Sequence, residues 1–457
     1  MEMTQKENKM GTMGIPKLLF TISIPIIISM IVQALYNIVD SVYVAQFDNS
    51  AGTGALTAAF PIQNLMIAVS VGLAVGMNAL LSRSLGQKNF KRANVIAGQG
   101  FFLMLCGYLL FLVIGLSFVK PYAATQAEVG TTLYEYTVDY LTIVCVFSFG
   151  VFVQVVTERL LQATGKSFYS MIIQLSGAII NIILDPILIF GWLGFPQMGV
   201  SGAAIATVVG QCFAGVLGII LNVAVNKEIR IRIKNFIPKL ELIREMLAIG
   251  IPSVLMQAIG SVMTFSMNII LKGFGIAAYN VFGVYFKLQS FVFMPVFGLN
   301  NGMIPIVAYN YGARKRERVF ATVRLAAISA IIYMLAGFAT FQIIPGVLLG
   351  FFSAGEEMLA VGKVALRLIS ISFVFAGFSV VASATCQALG KSIYSLIISI
   401  GRQLVVLIPA AFLLSLANNV NLVWLAFPIA EIMSLLLCIF FLIRVLKRAF
   451  PKDSKAT

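Results

Sequence analysis

Followed from end to end, the chain consists of long, unbroken apolar runs set apart by short polar segments. The runs fall near 18–44, 55–81, 95–119, 137–161, 169–191 and 201–224 in the first half, and near 247–271, 281–308, 322–349, 365–387, 394–416 and 423–443 in the second. Each is long enough to cross a bilayer as a helix, which takes roughly 20 apolar residues. None alternates with the period of two expected of a membrane β-barrel strand. The pattern predicts an all-α polytopic membrane protein of about twelve transmembrane helices, with no length left for a soluble catalytic domain.

Composition sharpens this reading. Of 457 residues, 60% are hydrophobic and 11% charged, against about a quarter charged in soluble domains. A mean hydropathy of +0.98 over the whole length excludes a soluble domain on a single anchor. The net charge of +15 would point to nucleic acid in a soluble protein. Here the positive charge is partitioned among loops. Arg83, Lys88, Lys91 and Arg92 lie in 82–94. Lys227, Arg230, Arg232, Lys234, Lys239 and Arg244 lie in 225–246, and Arg314, Lys315, Arg316 and Arg318 in 309–321. The tail adds Arg444, Lys447, Arg448, Lys452 and Lys455. Loops 45–54, 192–200 and 417–422 have no Lys or Arg, and 120–136 and 350–364 have few. This asymmetry predicts a multi-pass membrane protein with both termini cytoplasmic, in contact with lipid and not with nucleic acid. The first apolar run, after the polar segment Met1 to Lys17, is too long for a cleaved signal and is expected to stay as a helix.

Internal repetition organises the chain. Gln162-Ala163-Thr164-Gly165-Lys166-Ser167 recurs as Gln387-Ala388-Leu389-Gly390-Lys391-Ser392, an offset of 225. Gly72, Gly76, Met77 and Gly86 recur as Gly298, Gly302, Met303 and Gly312, and Ile24-Pro25 as Ile251-Pro252. The expected organisation is an N-terminal six-helix bundle over 1–224, a basic cytoplasmic linker over 225–246, and a C-terminal six-helix bundle with its tail over 247–457. An even number of spans per unit makes the repeats parallel, related by a pseudo-two-fold axis along the membrane normal, an arrangement of transporters. Two such bundles with a cleft at their interface can rock between outward and inward opening.

Candidate chemistry is sparse. There is no His, and the five cysteines sit in apolar stretches without metal spacing, so they read as packing residues. Gly165-Lys166-Ser167 lacks the upstream glycine of a phosphate loop, and its duplicate argues for a structural turn, so the energy source is expected to be an ion gradient. No nucleophile–base pair supports an enzyme, and no catalytic residue is assigned. The deep acids are Asp40, Asp185 and Glu431, with Glu158 near a helix end; such groups are costly in a bilayer and are functional candidates by default. Gln33, Tyr36, Asn37 and Asp40 follow helical spacing as one polar stripe. Asn181 lies one turn from Asp185, which Pro186 follows. Gln154 lies one turn from Glu158, and Thr207 one turn from Gln211.

Carboxylates in a low-dielectric cavity relieve their charge by taking up a proton or by binding a hard cation through several oxygens. On this reading Asp40, Asn181, Asp185 and Thr207 form an ion-coupling group for H+ or Na+. Asp40 and Asp185 are the metal ligands if the ion is Na+, and no other cofactor is expected. The structural alternative is that Gln, Asn and Tyr satisfy these acids and only helix packing is served. Glu158 has the further option of snorkelling beside Arg159. The second half carries Lys287, Arg367 and Arg402, and Glu431 is read as the neutralising partner of Lys287 or Arg402. Gln257, Ser261, Thr264 and Asn268 form a polar face that lines the cleft or bonds neighbouring helices. The abundant Met and Phe (19 and 36 residues) suit bulky apolar cations.

At Asn181-Ile182-Ile183-Leu184-Asp185-Pro186-Ile187-Leu188-Ile189-Phe190-Gly191 the chain resembles the fifth helix of the multidrug and toxic compound extrusion (MATE) family, particularly its MepA-like branch. Gln162-Ala163-Thr164-Gly165, Gly202-Ala203-Ala204-Ile205-Ala206-Thr207 and Gly72 to Gly86 support the resemblance, which covers essentially the whole chain. It implies a V-shaped twelve-helix antiporter of the bacterial cytoplasmic (inner) membrane, expected as a monomer, that exports cationic amphipathic drugs and dyes against inward H+ or Na+. It also implies that Asp40, Asn181 and Asp185, with Thr207 nearby, form the cation site, and that Glu158 matches an acidic position of that branch. The competing reading keeps the fold and changes the cargo to a lipid-linked sugar or peptidoglycan precursor. Such anionic cargo would want Lys287, Arg367 and Arg402 gathered at the cleft.

Overall fold

The computed structural model describes residues 8–48, 50–230, 232–352 and 355–451; the start of the amino-terminal segment, and Lys452 and Lys455 of the basic tail, lie outside them. The described residues are helices joined by turns, with no strand among them. In chain order the principal helices are α1 Ile15–Phe47, α2 Ala51–Gly86, α3 Phe90–Ser117, α4 Thr132–Val146, α5 Phe149–Ala163, α6 Ser167–Phe190 and α7 Gly199–Val225. There follow α8 Leu240–Lys272, α9 Ile276–Gly312, α10 Arg316–Ile343, α11 Glu356–Ser370, α12 Phe373–Ala388, α13 Ser392–Ser415 and α14 Ala426–Ala449. Ten helices among the described residues are long and apolar enough to cross a membrane, or up to twelve if each bent pair counts as one span. The chain is a multi-pass membrane protein.

The fourth and tenth apolar runs, expected as single spans, are the bent ones. α4 and α5 meet at 46° and α11 and α12 at 47°. Each break carries a buried serine, Ser148 or Ser372, whose N–H takes the carbonyl three residues back instead of four. A local tightening of this kind bends a helix without proline. Several other helices outrun the bilayer. α2 has 36 residues and α9 has 37, about 54 Å at 1.5 Å per residue against a hydrocarbon core of about 30 Å.

The repeated motif makes the same turn twice. Gly165 and Gly390 have φ of 78° and 74°, the left-handed region where a Cβ is penalised. In both copies the glycine N–H bonds back three residues, to Gln162 and Gln387. The following lysine N–H bonds back five, to Leu161 and Cys386. Gly165-Lys166-Ser167 is therefore a helix C-cap.

Contacts gather the chain into two compact units, Ile28–Gly250 and Met1–Ile27 with Ile251–Thr457. This division differs from the sequence repeat, because the first turns of α1 and α8 pack with the half of the chain they do not belong to by sequence. In the unit Ile28–Gly250 the basic linker is bound along α3. Gln99 Nε2 donates to the carbonyls of Asn235 and Ile237, both at 2.8 Å, and its Oε1 accepts from the Lys239 N–H at 2.8 Å. Arg92 pairs with Glu245 at 2.6 Å, and Phe101 stacks on Phe236. In the other unit Arg318 donates to the carbonyls of Met10 and Met13, and Lys315 to that of Gly11.

Candidate functional site

The buried polar residues of the unit Ile28–Gly250 converge from five helices. On α1, Asp40 is 8% exposed and Gln33 and Tyr36 are half-buried. Asn37, expected in the same stripe, is exposed. On a helix of 3.6 residues per turn it stands about 60° round from Asp40, on the side away from Tyr36. α6 supplies Asn181 and Asp185, enclosed at 2% and 0% exposure, and α7 supplies Thr207. Those two helices touch at glycines: a Cβ on Gly210 would stand 2.7 Å from the Gly177 carbonyl oxygen. This close approach brings Thr207 beside Asn181.

One amide holds the group together. Asn181 Nδ2 donates to Asp185 Oδ1 and to Thr207 Oγ1, each at 3.3 Å. Three acceptor oxygens remain buried without a donor: Asp40 Oδ1, Asp185 Oδ2 and Asn181 Oδ1. Asp40 and Asp185 lie within electrostatic reach of each other. Gln211, one turn along α7 from Thr207, also keeps its carbonyl oxygen buried and unpartnered.

Two contributors were not anticipated from sequence. Tyr140 of α4 is 2% exposed and within electrostatic reach of Asp40, Asp185 and Tyr36, and its hydroxyl accepts from Gln63 Nε2 of α2 at 3.0 Å. Gln63 had a visible signal, one of two adjacent amides, Gln63 and Asn64, inside an apolar run; Tyr140 had none.

A second polar group adjoins the first. Gln154 Nε2 donates to Glu158 Oε1 at 2.9 Å and to Gln174 Oε1 at 2.8 Å. Tyr36 is within electrostatic reach of Asp40, Asp185 and Glu158, and so links the two groups.

In the other unit the charged residues are dispersed among separate partners. Arg402 Nη1 stands 3.3 Å from Glu431 Oε2, Lys287 Nζ lies 5.9 Å from the centre of the Phe352 ring, and Arg367 Nε donates to the Gln342 carbonyl at 3.2 Å. On α8, Gln257, Thr264 and Asn268 are half-buried and Ser261 is exposed. Thr264 bonds back to the Gly260 carbonyl.

What can the first group do? A buried carboxylate without a donor is costly, and a pair of them more so. A proton or a hard cation removes the cost. Among the described residues no three acid, histidine or cysteine side chains converge as a metal centre. A Na+ ion would therefore draw on the two carboxylates and the neutral oxygens of Asn181 and Thr207.

A duplicated, all-helical, multi-pass protein with paired acids enclosed in one unit has the build of a secondary transporter. The family model described as MatE matches residues 25–187 and again 252–413, once in each repeat. The chain belongs to that family, multidrug and toxic compound extrusion, whose members are transporters and not enzymes. It is 29% identical over 425 residues to the multidrug export protein MepA of Staphylococcus haemolyticus (strain JCSC1435), covering 93% of this chain and 92% of that one. It is 25% identical over 418 residues to MepA of Staphylococcus aureus (strain bovine RF122 / ET3-1), covering 91% and 90%. Among solved structures, its fold is similar to the outward-facing conformation of a multidrug resistance MATE family transporter of the MOP superfamily. The TM-score is 0.89 at 23% identity, over 98% of this chain and 99% of that one.

Proposed function

We propose that this protein is a secondary active multidrug efflux antiporter of the cytoplasmic membrane, with both termini in the cytoplasm. It exports cationic amphipathic drugs and dyes in exchange for H+ or Na+ by alternating access. The observation that carries the reading is the set of three donorless oxygens on Asp40, Asp185 and Asn181. The names of the MepA relatives, multidrug export proteins, supply the cargo class.

The chemistry follows from charge balance. Empty, the acid pair is uncompensated in a medium of low dielectric; loaded with a proton or Na+, it is compensated. Loading at Asp185 competes with the Asn181 amide that bonds its Oδ1, and so changes the hydrogen bonds by which Asn181 joins Asp185 of α6 to Thr207 of α7. The backbone of α6 is loosened beside the acid, because Pro186 leaves the Ile182 carbonyl without its intrahelical donor. A cationic drug and the coupling ion compete for the same negative potential, which makes the exchange an antiport.

The test is efflux of ethidium from proteoliposomes under separately imposed pH and Na+ gradients. Transport driven by one gradient and lost in Asp185→Asn supports the antiporter and names its ion. No movement under either gradient, with folded protein, overturns it. The lipid-linked cargo reading has less support, since the cations it would need, Lys287, Arg367 and Arg402, each have a separate partner.

A further inference from the structure

The unit Ile28–Gly250 holds a cavity that the coupling group does not use. Its volume is about 360 Å³, and it opens to the surface. A short helix, Val119–Gln126, follows α3 and forms one wall with Pro121, Tyr122 and Thr125. Ile62 of α2 and the enclosed Leu141 of α4 complete the lining, together with Phe118, which joins α3 to the short helix and is 60% exposed. Both hydroxyls in the lining are engaged within the protein. Tyr122 Oη donates to the Ala58 carbonyl at 2.8 Å, and Thr125 Oγ1 to the Tyr122 carbonyl at 2.7 Å.

Such walls select their occupant. Water or a polar ligand would exchange its hydrogen bonds for contacts with carbon, which is costly, and apolar cavities stay dry. Hydrocarbon bears no such cost. The source of the hydrocarbon follows from where the cavity lies. Leu105, Leu109, Leu110, Val113 and Leu116 are exposed along one side of α3, a span of this multi-pass protein. A continuous apolar face on a span meets lipid chains. Phe118, two residues beyond Leu116, carries exposed apolar surface on from that face to the cavity.

We propose that this cavity is a binding site for one acyl chain of a membrane phospholipid, seated against Ile62 and Leu141. The site adjoins the coupling group through the chain itself. Ile62 precedes Gln63 and Leu141 follows Tyr140, and those two bond at 3.0 Å, with Tyr140 in electrostatic reach of Asp40 and Asp185. An acyl chain in the cavity therefore packs against α2 and α4 one residue from the bond that joins them. The proposal stands apart from the efflux reading, because the chain binds whichever cargo the protein carries.

The experiment uses the purified full-length protein in nanodiscs of phosphatidylglycerol, part of it carrying a diazirine at the end of one acyl chain. After illumination, mass spectrometry of the digested protein locates the labelled residues. Label is expected at the half-buried Ile62 and Tyr122, and at Leu109 and Val113 of α3, which report ordinary contact with surrounding lipid. Thr125→Trp, at an exposed position, sets an indole in the cavity. It should lower labelling of Ile62 and Tyr122 by about fivefold or more and leave Leu109 and Val113 unchanged. Ile62→Phe, which fills the cavity from α2, should lower Tyr122 likewise, and Thr125→Val, which leaves the cavity open, should label as wild type. Wild-type protein labelled on α3 but not at Ile62 and Tyr122 overturns the proposal. So does Thr125→Trp that lowers all four residues equally, or that spares Ile62 and Tyr122.

Discussion

Asn181 donates to Asp185 Oδ1 at 3.3 Å from one helical turn away, while the other oxygen of the same carboxylate is buried with no donor. The acid is held in place and left half-satisfied. A group that served only to pack helices would be expected to have its partners, because an unpartnered buried charge costs stability.

Asp185→Asn is accordingly expected to bring gradient-driven dye efflux down to the background of empty liposomes. The variant should melt at or above the wild-type temperature, since it removes an uncompensated charge. Flux assays paired with thermal melts in detergent check both halves. Efflux that persists under either gradient contradicts the coupling role.

Thr207→Val separates the two candidate ions. If Na+ is coupled, losing one neutral ligand should raise the half-saturating Na+ concentration by about tenfold. If H+ is coupled, the acids alone carry the proton and the dependence on the pH gradient should be nearly unchanged. Titrating each gradient against initial efflux rate gives the answer.

Gln99→Leu tests the binding of the linker to α3. It removes three hydrogen bonds of 2.8 Å to residues 235–239. Trypsin cleavage at Arg230, Arg232, Lys234 and Lys239 is expected to accelerate by about tenfold, the effect of roughly 1–2 kcal/mol of lost local stability. A cleavage rate equal to wild type would mean that other contacts hold the linker.

Asp48, at the turn between α1 and α2, titrates in a simpler setting. The N–H groups of Ala51 and Ser50, both at 2.9 Å from Oδ1, hold its carboxyl below the usual aspartate range. A depressed folded value means that its stabilisation of the turn is fully present above the ordinary aspartate pKa and is lost as pH falls through the lowered one. An NMR titration of the Asp48 side chain should find its midpoint below the ordinary value, and Asp48→Ala should remove the pH response of the Ala51 amide.

The spans, the duplication and the acid–amide pairs were legible in the residues because each rests on local physics. Transfer of an apolar run into a bilayer is decided within that run. Asp185 and Asn181 share a face because they are one turn apart, and Gly165 and Gly390 repeat a left-handed cap that depends on a few neighbours. What lay beyond sequence was everything set by rotation and by contact between distant elements. Asn37 belongs to the stripe by spacing, yet only the packing of α1 decides that it is left exposed. Tyr140 and Gln63 reach the site because α4 and α2 bring them there, and no periodicity marks either. The bends at Ser148 and Ser372 arise from three-residue backbone bonds, whereas an apolar run reads the same bent or straight. The pairing of Glu431 with Arg402, one of two cations expected to neutralise it, was settled by the approach of α13 to α14. The length of an apolar run says that a helix crosses the membrane; tertiary packing decides which of its polar atoms find a partner and which are left without one.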